Sequence, residues 1–201
     1  NLIPRFYDVL SGEVLVDGVD VREYDQQTLR RKIAVALQRA ELFSTSISEN
    51  IAWGRPGASR EEILSAAETA QADSFIEGQA DGYGTLVAER GMSLSGGQKQ
   101  RLSIARAVIK PAEILIFDDS TSALDLRTEA RFYEALDAAR KDATKIIIAQ
   151  RIASVRRADR IVVMDKGTVA AAGSHEELMQ SCPVYQDIYR SQMGEGAEQI
   201  A

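Results

Sequence analysis

The chain has 201 residues, 45% of them hydrophobic and 27% charged, which is ordinary usage for one globular domain with room for a small appended subdomain. Its net charge of −6 leaves no overall basic footprint for nucleic acid, although a local basic patch stays open. Cys182 is the only cysteine, so no internal disulfide forms and a reducing compartment is the simpler reading; no apolar run approaches the length of a membrane span. The first residues, Asn1-Leu2-Ile3-Pro4-Arg5-Phe6-Tyr7-Asp8, have neither the basic start nor the apolar core of a signal peptide. They also lack an initiator Met, which fits a chain that begins inside a larger polypeptide.

In chain order, Glu13 to Gly18 reads as a short strand running into an Asp-Gly turn. Thr28 to Lys32 reads as helical, and Ile33 to Leu37 is a short apolar run leading to Gln38. Gly54-Arg55-Pro56-Gly57 is a break. Ser59 to Ala72 has the period of a helix, with Ser59 and Glu62 as a capping box. Gly82, Gly84 and Gly91 punctuate a loop. Ser95 can cap a helix running toward Lys110.

Two unbroken apolar runs follow, Glu113 to Phe117 and Lys145 to Ala149, ending respectively in Asp118-Asp119 and Gln150. Such runs suit a parallel sheet covered on both faces, and the helix expected over Thr128 to Arg140 makes them a strand–helix–strand unit. Arg160 to Asp165 and Thr168 to Ala172 read as strands around a Lys166-Gly167 turn. Ser174 and Glu177 form another capping box, and Tyr185 to Met193 is amphipathic. The fold expected is therefore α/β.

Ligands of open α/β sheets sit outside the carboxyl ends of the strands, where this reading puts Asp118, Asp119 and Gln150. A carboxylate there, with the hydroxyls of Ser120, Thr121 and Ser122 nearby, suits hydrated Mg²⁺ beside phosphate. A helix N-cap in an ordinary α/β domain explains the same residues, and on their own both readings stay open. Ser93-Leu94-Ser95-Gly96-Gly97-Gln98 adds a second candidate. Its glycines allow close approach to the backbone, and a helix start offers free N–H groups and a positive dipole end to an anion.

Leu94-Ser95-Gly96-Gly97-Gln98-Lys99-Gln100-Arg101 resembles the signature of ATP-binding cassette (ABC) proteins. Ile114 to Asp118 resembles their Walker B strand, Ser122-Ala123-Leu124-Asp125 their D-loop, and Gln38 their Q-loop glutamine. Thr85 to Gly91 is similar to the loop that precedes the signature in exporters. The order matches along nearly the whole chain. The resemblance implies a P-loop NTPase (RecA-like) core with a partial antiparallel β subdomain and a helical subdomain over about 44–110. It implies two cassettes sandwiching two ATP molecules. Ser95, Gly96, Gly97 and Gln98 then serve the partner cassette's ATP, while Asp118 holds Mg²⁺ through water on this chain's own. Gln38 reaches the metal region and the transmembrane domain, and 38–51 receives a coupling helix. Localisation at the cytoplasmic face of a cell membrane follows, with no nucleic-acid partner.

Three departures qualify the resemblance. No G-x-x-x-x-G-K-[ST] occurs, so the phosphate loop is missing, most simply by truncation, and the chain alone is expected to bind ATP weakly or not at all. The general base of the family is a glutamate where this chain has Asp119, one methylene shorter; losing good positioning costs about 10²- to 10⁴-fold. The family's switch histidine stands where this chain has Gln150, which can hydrogen-bond to phosphate but cannot carry an imidazolium charge. Both changes fit the degenerate half of a heterodimeric exporter. A competent homodimeric exporter, a soluble ABC ATPase of repair or translation, and a non-hydrolysing regulatory module are the alternatives.

Other residues have plainer readings. His175, the only histidine, falls in the first turn of a capped helix, and Cys182 is a small loop residue. Trp53 reads as packing near the coupling region. The charges between Ala123 and Arg140 read as a solvated helix face. Glu89 and Arg90 either touch the transmembrane domain or form an ordinary loop salt bridge.

Overall fold

A computed structural model describes residues 1–88 and 93–193, so the expectations for Glu89, Arg90 and Gly91 lie outside the described residues. The chain forms two compact units, Asn1–Ile148 and Ala149–Ala201.

The first unit opens with a hairpin of β1 (Leu15–Val16) and β2 (Val19–Asp20). Asp17 and Gly18 both take positive φ, 52° and 77°, the backbone of the turn that matches the twist of paired strands. Helix α1 (Gln26–Lys32) starts two residues before the expected Thr28, because Asp25 caps it by accepting from Thr28 N. Three parallel strands follow in the spatial order β3 (Ile33–Ala36), β4 (Ile114–Asp118), β5 (Thr144–Ile148). Between β3 and β4 lie α2 (Ile47–Ala52), α3 (Arg60–Thr69), α4 (Asp73–Glu77) and α5 (Gly96–Val108). Helix α6 (Leu126–Ala139) joins β4 to β5, which is the strand–helix–strand unit read from the sequence.

Burial explains these elements. Leu115 and Phe117 of β4 are at most 1% exposed, as are Leu102 and Ile104 of α5 and Phe132 and Leu136 of α6. Phe117 meets Phe132 edge to face with ring centroids 5.4 Å apart, tying α6 to the sheet. The box Ser59–Glu62 forms at the start of α3 as expected. Helix α2 was not foreseen as a helix, although its Ser46–Glu49 box carries the same S-x-x-E signal.

The charged residues of α6 are not all solvated. Glu129 is 3% exposed and accepts from Thr121 Oγ1 at 2.6 Å. It sits near the positive end of the helix dipole, which favours a carboxylate there. Arg140 donates to the carbonyls of Val108, Lys110 and Ala112, closing the C-terminal end of α5 where helical carbonyls have no partner.

The second unit holds α7 (Ile152–Val155), the antiparallel pair β6 (Ile161–Asp165) and β7 (Thr168–Gly173), α8 (His175–Ser181) and α9 (Pro183–Met193). Ser174 and Glu177 form the expected box. His175 opens α8, and its Nδ1 lies 2.9 Å from the hydroxyl of Tyr185, itself 3% exposed. Cys182 ends α8 and is buried. Both residues are thus part of this unit's packing.

Candidate functional site

The parallel register sets the carboxyl ends of β3 and β4 side by side, Ala36 opposite Phe117. Chain continuation then brings Gln38 and Asp119 together. Gln38 Nε2 donates to Asp119 Oδ2 at 2.7 Å, a bond strengthened by the carboxylate charge. Asp119 N donates to Ile148 O at 2.7 Å, so the residue stays anchored to β5 one position beyond the end of β4. Its φ is nonetheless +47°, in the left-handed region that Asp tolerates better than most residues, at a cost of about 1 kcal/mol. Asp118 is half-buried at the last position of β4. Beside them the Ser120 hydroxyl is buried with no hydrogen-bond partner among the described residues.

The loop from Asp119 to Asp125 is held internally and from two helices. Ser122 Oγ donates to Asp119 O at 2.8 Å, and Leu124 N to Thr121 O at 2.9 Å. Asp125, not Asp118 or Asp119, caps α6, accepting from Thr128 N at 3.0 Å and from Thr128 Oγ1 at 2.6 Å. Those two hydrogen bonds, the hydroxyl's first, lower the pKa of its carboxyl. The helix-cap explanation considered from the sequence therefore accounts for Asp125 and leaves the strand-end carboxylates to be explained otherwise.

The start of α5 is the second part of the site. Ser95 caps it, accepting from Gln98 N at 3.3 Å, and Gln98 Oε1 accepts from Ser95 N at 2.9 Å. The S-x-x-Q spacing carried that reciprocal pair in the sequence, although only the Ser95 half was read from it. Gly96 and Gly97 occupy the first helical positions, whose N–H groups have no acceptor within the helix. Gly97 has a further reason to be glycine: a Cβ there would lie 3.0 Å from Ala123 O. The helix end thus presses against the loop that carries Asp119 and Asp125. Gln100, also missed from the sequence, makes the same connection with its side chain, accepting from Ala123 N at 2.8 Å.

Gln150 belongs to the second unit. Its side chain is exposed and its carbonyl accepts from Gln192 Nε2 at 2.6 Å.

An aromatic surface follows Gln38 along the chain. Phe43 and Trp53 face one another with centroids 4.4 Å apart, and both remain exposed, Trp53 at 61%. Arg106 of α5 lies over Phe43 at 4.9 Å and donates to Glu41 O, Asn50 O and Asn50 Oδ1. Burial depresses its pKa.

Among the described residues no three His, Cys, Asp or Glu side chains cluster as a metal site. Asp118, Asp119 and the Gln38 amide are oxygen donors of the kind Mg²⁺ takes. They suit an ion that completes its octahedron with water and phosphate rather than one caged by protein.

A parallel sheet with acidic and amide side chains at its carboxyl ends, beside a glycine-rich helix start, is the architecture of nucleotide-handling α/β proteins. The chain belongs to the ABC transporter family, whose sequence profile matches residues 1–122. Its P-loop NTPase fold is that of a bacterial Atm1-family ABC exporter solved with ATP bound, at a TM-score of 0.93 and 41% identity over 96% of this chain and 34% of the other. It is 48% identical over 192 residues to YgaD of Bacillus subtilis (strain 168), named as a multidrug export ATP-binding/permease protein, covering 96% of this chain and 33% of that protein. It is 50% identical over 181 residues to NdvA of Rhizobium meliloti (strain 1021), a beta-(1→2)glucan export ATP-binding/permease protein, covering 90% and 31%. The chain spans about a third of the length of these curated relatives.

Proposed function

We propose that this chain is the ATP-binding cassette of a membrane exporter, coupling ATP binding and hydrolysis to substrate movement. Its best catalytic contribution is made to the ATP of a second cassette. The observation that carries the reading is the juxtaposition, in one unit, of an exposed glycine-bearing helix start at Ser95–Gln98 with the Gln38–Asp119 pair at the strand ends. A single ATP does not need both from one chain if two cassettes face each other. Ser95, Gly96, Gly97 and Gln98 then offer donors to the partner's nucleotide, and the strand ends serve this chain's own.

At its own site, Asp118 and Gln38 are the residues to hold Mg²⁺, which when bound neutralises phosphate charge. Asp119 is the base for the attacking water; the part of the switch residue, a hydrogen bond to phosphate, falls to Gln150 by the family resemblance alone. Asp119 is poorly placed for that role on two grounds. Its carboxylate is one methylene short of the glutamate usual in the family, and Gln38 already occupies one of its oxygens. Asp125 contributes as the D-loop residue while capping α6. The exposed Phe43–Trp53 surface is where a transmembrane coupling segment docks, at the start of the helical subdomain over about 44–110. The names of the relatives join ATP binding to a permease, which favours an exporter at the cytoplasmic face of the membrane over a soluble ATPase.

The test is reconstitution of the full-length polypeptide carrying this chain, alone and with a partner cassette of different sequence. ATP turnover is expected only in the mixed assembly. A symmetric, active dimer of the single polypeptide overturns the heterodimer and establishes the homodimeric alternative. The 201-residue chain on its own, which contains no phosphate loop, is expected to bind ATP weakly or not at all in a calorimetric titration, and tight binding contradicts this.

A further inference from the structure

Gln100 is buried, 6% exposed, and its amide is used at both ends. Nε2 donates to Ser122 Oγ at 3.2 Å, and Oε1 accepts from Ala123 N at 2.8 Å. Ser122 Oγ hands its proton to Asp119 O at 2.8 Å, and the Asp119 side chain accepts from Gln38 at 2.7 Å. A continuous line of hydrogen bonds therefore runs from the core of α5, through Gln100 and Ser122, to the backbone of the strand-end carboxylate. Gly97, on the same helix, approaches the same loop at Ala123 O through its backbone.

We infer that Gln100 is a positioning residue that locks the Asp119–Asp125 loop to the start of α5, so that the two ATP-facing ends of this chain move as one piece. The inference rests on the exporter-cassette reading. Only an amide fits the position. A glutamate keeps the bond from Ala123 N but turns the single Ser122 proton toward itself, releasing Asp119 O. A leucine leaves the Ala123 N–H without its partner and severs both links.

The experiment is steady-state ATPase kinetics with thermal melts on the assembled full-length exporter carrying Gln100→Glu, Gln100→Leu or Ser122→Ala. The expected kcat falls about tenfold for Gln100→Glu and further for Gln100→Leu, because the start of α5, which faces the partner's ATP, loses its tie to the loop, and misplacing such a group by about 1 Å costs up to about 10²-fold. KM for ATP stays within about twofold. Ser122→Ala matches Gln100→Glu, and the double variant is no worse than either single one, as residues acting through one link are non-additive. Wild-type kcat in all three variants, with only the melting midpoint lowered, overturns the inference while leaving the cassette reading intact. Additive losses in the double variant overturn it as well. If Gln100→Leu fails to assemble, the Ser122→Ala kinetics decide alone. A wild-type assembly without ATPase overturns the cassette reading and the inference with it.

Discussion

The start of α5 and the ends of β3 and β4 lie in one unit and obey opposite rules. At the helix start, local chemistry is satisfied: Ser95 and Gln98 pair reciprocally, the glycines take ordinary helical positions, and the backbone keeps favoured geometry. At the strand ends, three local preferences are broken at once. Asp119 adopts a positive φ, Ser120 buries a hydroxyl without a partner among the described residues, and a carboxylate is tethered to a glutamine just past the end of the neighbouring strand. Broken local rules concentrate where a structure is shaped for something other than stability. The contrast separates a helix start in ordinary geometry, the proposed anion platform, from a strand end whose carboxylate is held by Gln38.

The largest expected effect breaks the platform. Gly97→Val puts a branched side chain where a Cβ alone comes within 3.0 Å of Ala123 O, and it closes the approach to the helix start. Turnover of the assembled exporter is expected to fall by about 10²-fold or more in a steady-state ATPase assay. Retention of half the wild-type rate contradicts the role given to this helix end.

A smaller effect sharpens the other side. Asp119→Glu restores the missing methylene and is expected to raise turnover at this chain's own site about tenfold, read in single-turnover experiments. An unchanged rate places the limitation elsewhere, at Gln150 or in the hold of Gln38. Smallest is Ser120→Ala, which removes the unpartnered hydroxyl. It is expected to raise unfolding free energy by about 1 kcal/mol in thermal melts. A lowered melting midpoint means that the hydroxyl has a partner in the assembled protein.

The platform was largely legible in the sequence and the strand ends only in part. A cap box and two glycines have a fixed spacing, so Ser95 could be placed on a helix start before any coordinates. Parallel strands also announce themselves, because Ile114 to Phe117 is apolar without interruption. Neither signal reaches across the chain. The bond from Gln38 to Asp119 joins residues 81 positions apart. It depends on strand register, which no local pattern encodes. Glu129 was misread for a related reason: a charged residue on an amphipathic helix is normally solvated, and only its tertiary neighbour Thr121 makes burial tolerable. Gln100 was legible only as one letter of the signature resemblance, and its burial was not, since a glutamine within a helix is as common on a surface as in a core.

If the proposed roles hold, this chain's signature matters more to turnover than its own carboxylate. Steady-state ATPase rates of the assembled full-length exporter carrying Ser95→Ala or Asp119→Asn, measured side by side, test it most directly. Ser95→Ala is expected to remove most of the turnover and Asp119→Asn to leave it within about twofold of wild type. The reverse ranking contradicts it.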